Sequence, residues 1–553
     1  MGIFTPAFFR RVITGLALFA HSMGTRAQNT PPAWQDATNI GQETFDTGVG
    51  AVDGAGNHYV IGAMRGSLTV GTTTLTSVGD VDSYLAKYSP GGAVLWVRQI
   101  GSPGADLIFD VALDAAGNSY VTGRFNGPVA LGNNLSLSNA SSSPEVFVVR
   151  YSPLGTPEWA QQSTSGSNST GFGIGTDLAG NLYVTGTCNA PFTLGGVALG
   201  MPNNQYRPVF LARLSWATGA VQSLVTAFAY PALGGSFGLP RLAVGPAGET
   251  VITISFSQPA PLCPNGLTFT SRGGTDALVA KYTALGSFQW AQQIGSTGND
   301  PISDATVDAA GNVYVCGTAR GTNVVGTITL PYQGGADGYV AKYSSQGIAQ
   351  WAEALGGTAD DTWNSVSLDA TGAPYVAGSF STSSQVSTTT LSSTGATDAV
   401  VAAYTAQGQL RWVKQAGGPG ADAAYYLGLD NASRISVRGL FANASVFGPF
   451  TLSTNAANGE SYLARLGGTV STTQTSYLPF QALYPNPAVA FVHLPGLPVG
   501  TRIQLLDAVG RVARETTVST AAQVSVLDLA PGLYTLRATD QQGQLYTGRV
   551  AVE

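Results

Sequence analysis

The chain has 553 residues, and only 10% of them are charged, against about 25% in an ordinary globular protein. Its formal net charge is −6 and, past Arg10-Arg11, its Lys and Arg stand singly, which excludes the broad basic field that nucleic-acid binding needs. The cysteines, Cys188, Cys263 and Cys316, are odd in number, argue against a disulfide framework and read as small buried apolar residues.

Residues 1–27 read as a secretory signal. Arg10 and Arg11 supply the positive start, Val12 to Ala20 an apolar stretch too short to span a bilayer, and Thr25-Arg26-Ala27 a cleavage site. No later segment is long and apolar enough for a membrane helix, so the mature chain is expected to be exported without a transmembrane segment.

From Asp53 onward one phrase recurs seven times. It is clearest as Asp114-Ala-Ala-Gly-Asn-Ser-Tyr-Val-Thr-Gly123. It returns at Asp53, Asp177, Asp308 and Asp369, and in worn form at Gly245 and Asp430, in steps of 61, 63, 68, 63, 61 and 61 residues. A period that regular marks a repeat array. Within residues 106–162 the alternation predicts four strands. Asp110–Asp114 is strand A, Ser119–Phe125 strand B, Glu145–Tyr151 strand C and Glu158–Gln162 strand D, with tight turns at Ala115–Asn118 and Ser152–Gly155. Four antiparallel strands per repeat is the pattern of a propeller blade. Strand D carries a tryptophan in most repeats: Trp96, Trp159, Trp290, Trp351 and Trp412.

The seventh repeat stops after its strand C, Glu460–Leu466. Trp34 lies near the start of the mature chain and precedes Ile40-Gly41 much as Trp96 precedes Ile100-Gly101, with two extra residues. The N-terminal strand is therefore expected to complete the last blade, with Trp34 as its tryptophan, leaving no open edge. The short A–B and C–D turns share one face of such a ring, and the longer, more varied B–C and D–A connections share the other. Asp106, Asp300, Asp361 and Asp422 sit at D–A connections, and Asp82, Asp276, Asp337 and Asp398 at B–C exits. The first four are the candidate ligand-face residues, because varied loops carry most binding contacts.

These repeats resemble the bacterial seven-bladed β-propeller repeat family, over roughly residues 34–466. That resemblance implies the fold and no shared catalytic residues. Tyr-Ser-x-x-Gly-x-x-x-Trp is also similar to the tryptophan-docking repeat of quinoprotein propellers; no adjacent cysteine pair accompanies it, and only the packing role is carried over.

Residues 468–479, rich in Thr, Ser and Gly, read as a linker. The remaining segment, 480–553, alternates with period two between closely spaced turns and predicts a small Ig-like β-sandwich. Tyr484-Pro485-Asn486-Pro487, then Asp507 with Gly510-Arg511, then Gly532 and Tyr534, resemble the C-terminal sorting domain of the type IX secretion system. The resemblance implies type IX secretion machinery as partner, export across the outer membrane of a Gram-negative cell, and release or surface attachment.

Catalysis needs positioned acids, bases or nucleophiles. Past the signal only His58 and His493 remain, and neither has a metal-spaced partner. Gly234-Gly-Ser-Phe-Gly238 has the spacing of a nucleophile elbow without the strand–turn–helix context or a usable histidine. The Asp-x-x-Gly-Asn turns offer one Asp and one Asn each, too few oxygens for calcium, which favours turn capping. The expectation is an all-β, exported, non-catalytic propeller without cofactor or metal that binds an extracellular glycan, matrix polymer or protein. The alternatives are a polysaccharide lyase or hydrolase using acids on the varied face, or a structural surface component.

Overall fold

The computed structural model describes the chain from residue 31 onward, except residues 42–44, 140, 142, 165–167, 190, 201–205, 232–236, 258–262, 457–458, 468–477, 480–483, 495–496, 498, 507–511 and 540–544. The signal segment, most of the expected linker and most of the Gly234–Gly238 loop therefore lie outside the described residues. The chain forms two compact units, residues 1–468 and 469–553. Among the described residues no helix is long and apolar enough to cross a membrane.

Among the described residues the first unit holds four four-stranded and three six-stranded antiparallel sheets, with three separate two-stranded hairpins. Each of the seven larger sheets contains one four-stranded blade, and in the six-stranded ones the outer hairpin of the next blade is added to it. Strand A is the inner member of each: Phe45–Val52, Leu107–Leu113, Thr170–Thr176, Arg241–Val244, Ile302–Val307, Thr362–Leu368 and Ala423–Leu429 in blades 1 to 7. Each strand A packs on the next, and that of blade 7 packs on that of blade 1, so the sheets close into a ring around an axial channel. Blades stack face to face, and their middle strands are therefore covered on both sides. His58–Met64 and Asp82–Tyr88 are buried at every position, whereas strand D of blade 1, Val94–Ile100, lies at the rim and is only partly buried. Continuous apolar runs in strands B and C are the sequence signature of that two-sided burial.

The recurring phrase is the A–B hairpin. Asp114 Oδ1 accepts the N–H groups of Ala116 and Asn118, both at 2.9 Å, and Oδ2 accepts Asn118 Nδ2 at 2.7 Å and Tyr120 Oη at 2.9 Å. Gly117 sits at φ +82°, the left-handed region that favours glycine. Asp53, Asp177 and Asp308 repeat the two backbone bonds and the Asn bond, while Tyr59 Oη of blade 1 donates to Gly117 O of blade 2 instead. These carboxylates are spent on their own turns.

The tryptophans lock each blade to the next. The Trp96 Nε1–H donates to Pro153 O at 3.0 Å, Trp159 to Trp216 O at 3.0 Å, Trp290 to Ser345 O at 2.9 Å and Trp351 to Ala406 O at 3.1 Å. Each acceptor lies on the following blade, and each indole face covers a turn glycine there: Gly155, Gly219, Gly347 and Gly408.

Trp34–Gly41 pairs antiparallel with Glu460–Leu466 and supplies the fourth strand of blade 7. The register corrects one expectation. Trp96 faces Lys87, whereas Trp34 faces Leu466 and Asp36 faces Arg465. Asp36, not Trp34, thus occupies the docking-tryptophan position, and it forms an ion pair with Arg465 Nε at 2.7 Å. Trp34 instead stands where Val94 stands in blade 1. Val94 covers Gly71 in the outer hairpin of its own blade, and Trp34 covers Gly448 in the same way, edge-to-face on Phe447 at 5.2 Å. The two extra residues before Ile40 are this displacement.

In the second unit a five-stranded sheet runs Leu478–Pro479, Leu545–Val552, Gly532–Thr539, Arg502–Leu506 and Val512–Thr517, and a two-stranded ribbon joins Phe491–His493 to Gln523–Ser525. Val492 and Val524 of the ribbon share one core with Ile503, Leu505, Leu536 and Val550 of the sheet. Leu478–Pro479 pairs with the strand Leu545–Val552, so the sheet begins two residues inside the segment read as linker.

Candidate functional site in the axial channel

The four aspartates expected on the ligand face are fully buried, which corrects that assignment. Asp106 accepts Ser102 N at 2.5 Å, Ser102 Oγ at 2.9 Å and Asn126 N at 2.9 Å. Asp300 accepts Ser296 N at 2.6 Å, Ser296 Oγ at 2.8 Å and Arg320 N at 3.1 Å. Asp361 accepts Ser381 N at 3.0 Å and Ser384 Oγ at 2.7 Å, and Asp422 accepts Gly418 N at 2.8 Å, Ala442 N at 3.2 Å and Ser445 Oγ. Each pins its D–A connection to the B–C connection of the same blade. For Asp106, Asp300 and Asp422 the physical reason is spacing, since a carboxylate four residues after a free N–H closes a loop cap; the Asp361 carboxylate bonds only the B–C side, and its Oδ2 has no hydrogen-bond partner. Burial raises all four carboxyls, that of Asp361 to about 6. Asp82, Asp276, Asp337 and Asp398 are buried caps of the same kind, accepting Val78 N, Arg272 N, Gln333 N and Thr394 N.

A second group of polar side chains does face an open space, on the ring axis. A cavity of about 330 Å³ is lined by strand A residues of all seven blades. The position four residues before each turn head holds Val49, Asp110, Gly173, Arg241, Asp304, Ser365 and Tyr426. Five of these strands carry a bulge just before it, which leaves Phe109, Phe172, Ser303, Asn364 and Tyr425 unopposed. Strand A is the edge strand, so its N–H groups need acceptors from elsewhere. Asp110 Oδ2 accepts Ile174 N of blade 3 and Oδ1 accepts Val111 N, both at 2.8 Å. Asp304 Oδ2 accepts Val366 N and Ser365 Oγ of blade 6 at 3.0 Å, and Oδ1 accepts Ala305 N at 2.8 Å. Ser365 Oγ in turn accepts Leu427 N of blade 7 at 3.3 Å. These side chains staple neighbouring blades at the axis.

Burial pushes the Asp110 carboxyl up to about 7, against the pull of its two N–H donors and of Arg241; Asp304 is raised for the same leading reason. Arg241 is exposed within the channel and has no ion-pair or hydrogen-bond partner among the described residues. Sequence reasoning missed Asp110, Arg241 and Asp304 as site residues. The available signal was the disagreement among repeats at one position of an otherwise regular strand.

Elsewhere several titratable groups are buried without a hydrogen-bond partner, among them His58 Nε2 and the hydroxyls of Tyr339, Tyr343 and Tyr404. His58 is buried, and desolvation lowers it to about 3. His493 stacks on Tyr484 at 4.9 Å and meets Gln523 Nε2 at 2.9 Å. The thiols of Cys188, Cys263 and Cys316 are free and buried. Among the described residues no three His, Cys, Asp or Glu side chains gather as a metal site.

In the second unit Tyr484, Pro485, Asn486 and Pro487 form an exposed corner, tied down by Asn486 Oδ1, which accepts Ala551 N at 2.8 Å. Gly532 is exposed, and the buried Tyr534 donates to Ala530 O at 2.8 Å. Asp507, Gly510 and Arg511 lie outside the described residues.

Fold and site together define an all-β protein of propeller repeats that ends in a separate β unit. Residues 95–128 and 158–193 match the Beta-propeller repeat, and residues 482–553 match the Secretion system C-terminal sorting domain. The sorting domain implies involvement of the type IX secretion machinery and export across the outer membrane to a surface or secreted destination. The chain is 22% identical over 504 residues to an uncharacterized WD repeat-containing protein, L264, of Acanthamoeba polyphaga mimivirus, covering 77% of this chain and 35% of that one. It thus spans about a third of that relative's length. Among solved structures it is similar to PorZ, a surface component of the type-IX secretion system of Porphyromonas gingivalis. The identity is 12%, coverage 90% of this chain and 73% of that one, and the TM-score 0.30. A chain of the mitotic checkpoint complex is 9% identical, with coverage 84% and 99% and a TM-score of 0.40.

Proposed function

We propose that this exported propeller is a non-catalytic binding protein that takes an extracellular glycan at its axial channel. The observation that carries this reading is the cavity itself: every blade contributes to it, and it mixes polar groups with the aromatic rings of Phe172, Tyr425 and Tyr426. Concave sites of that composition bind small polar ligands. Asp110 and Asp304 use both carboxylate oxygens on backbone N–H groups, which suits a fixed wall better than a general acid or base. A glycan array probed with the exported protein tests the proposal; binding that Phe172→Ala abolishes is the expected result, and no retained glycan at any protein concentration rejects it.

One observation favours a second reading, a polysaccharide lyase or hydrolase: the Asp110 carboxyl is held near 7 beside aromatic side chains, in the range a catalytic acid needs. Incubation with acidic and neutral polysaccharides separates the two. Chain cleavage that Asp110→Asn removes establishes the enzyme; intact polymer leaves the binding protein.

A further inference from the structure

The channel contains one charge that nothing in the described structure uses. Arg241 opens strand A of blade 4 and occupies the ring position that holds Asp110 in blade 2 and Asp304 in blade 5. It acts electrostatically on both carboxylates, yet forms an ion pair with neither. A guanidinium serving only to neutralise two carboxylates in a confined space gains most by contacting one in a bidentate pair. Arg241 instead lines the cavity without an ion pair, and among the described residues it is the single cationic side chain that does so. Both carboxylates, on blades 2 and 5, are already anchored by backbone N–H groups, and their remaining lone pairs are fixed acceptors in the channel lining. Phe172, held edge-to-face on Phe109 at 4.8 Å, adds an apolar ring to the lining.

Taken as a recognition pattern, these groups ask for three things of one small ligand: an anionic group for the guanidinium, hydroxyl donors for the fixed acceptors, and a flat apolar face for the ring. The volume, about 330 Å³, lies at the low end of the range for ligand sites, about 300–1,000 Å³, and suits one sugar residue and not a chain of them. The geometry points to an acidic sugar, a hexuronate residue, as the occupant of the channel, its carboxylate on Arg241, its hydroxyls on Asp110 and Asp304, and its ring face on Phe172. This rests on the glycan-binding reading above and names its substrate class.

The test is calorimetric titration of the full exported protein with D-galacturonate and with its neutral counterpart D-galactose, on the wild type, Arg241→Gln, Phe172→Ala and the surface control Arg65→Gln. Arg65 lies in an exposed ion pair with Asp80. Galacturonate is expected to bind at least tenfold more tightly than galactose. Arg241→Gln should erase that preference while leaving the melting temperature unchanged, and Arg65→Gln should leave both unchanged. Equal binding of the two sugars, insensitive to Arg241→Gln and lost in Phe172→Ala, overturns the acidic-sugar assignment and leaves the channel as a glycan site. Absence of binding by either sugar at millimolar concentration overturns the assignment; retention of other glycans on an array then keeps the broader reading, and their absence removes that too.

Discussion

The indole of Trp96 in blade 1 lies flat on Gly155 of blade 2, and its Nε1–H donates to Pro153 O at 3.0 Å. A Cβ at Gly155 would come within 2.7 Å of the ring, and the residue sits at φ +77°. Gly155→Val should therefore destabilise the propeller by about 2–4 kcal/mol, from backbone strain and overpacking together. Urea unfolding followed by tryptophan fluorescence measures it. Gly196→Val supplies a useful contrast, since that glycine also has positive φ but meets nothing within 4 Å, so it isolates the backbone share.

The buried loop pins should matter for stability and not for ligand. Asp300→Ala leaves the Ser296 and Arg320 N–H groups without their acceptor. Each lost partner in a buried site costs about 1–3 kcal/mol. The expected outcome is a lower urea midpoint with an unchanged glycan profile. A changed profile at equal foldedness returns Asp300 to the ligand face.

Stability should decline as pH rises from about 4 to about 7. Asp110 and Asp361 have folded-state values near 7 and 6, above the ordinary carboxylate value of 3.8. Between those limits these two groups hold more protons in the native state than in the unfolded chain, so their contribution to the free energy of unfolding falls with increasing pH; His58, lowered to about 3, opposes it with a single group. The contribution is complete below the unfolded value and lost as pH passes through the folded one. Thermal melts at pH 5 and pH 8 should show the lower midpoint at pH 8, and Asp110→Asn should narrow the gap. A higher midpoint at pH 8 refutes the assignment of sign.

Deleting residues 34–41 removes the partner of Glu460–Leu466 and leaves the third strand of blade 7 as an open edge. Such edges template association between chains. The deleted protein should elute as oligomers in size-exclusion chromatography, and a synthetic peptide of residues 31–41 should return it to monomer.

Removal of residues 469–553 takes away the sorting unit and should hold the propeller in the periplasm. Cell fractionation reads the outcome directly; normal surface or medium delivery of the truncated chain counts against a sorting role.

The ring was legible from Asp53 to Leu466 because the A–B hairpin places an Asp, a Gly with positive φ and a Tyr at fixed offsets in five of the seven repeats, and the remaining two, at Gly245 and Asp430, keep the period. The closing strand was legible too, but its register was not. Alignment on the identity of Trp34 misplaced it by two residues, whereas the distance from Asp36 to Ile40 equals that from Trp96 to Ile100. Spacing to a buried strand end carries more information than a matching side chain, because the pleat fixes the first. The candidate site was hidden for a related reason. Asp106 and its counterparts repeat because the loops need them, and repetition within an array reports structure. Arg241 occurs once at its ring position and is invisible to any search for recurrence.

Both ends of the ring's chain leave from one place. Gly467 N donates to Ala33 O at 3.2 Å, so the first described residues and the exit toward the sorting unit are hydrogen-bonded neighbours. The seam Trp34–Gly41 against Glu460–Leu466 is antiparallel. Tension applied between the two ends would load its rungs singly, as a zipper, and not all together in shear. The mechanically weak line of this protein is therefore blade 7, and the stack of tryptophans in blades 1, 2, 4 and 5 is spared until that seam has opened.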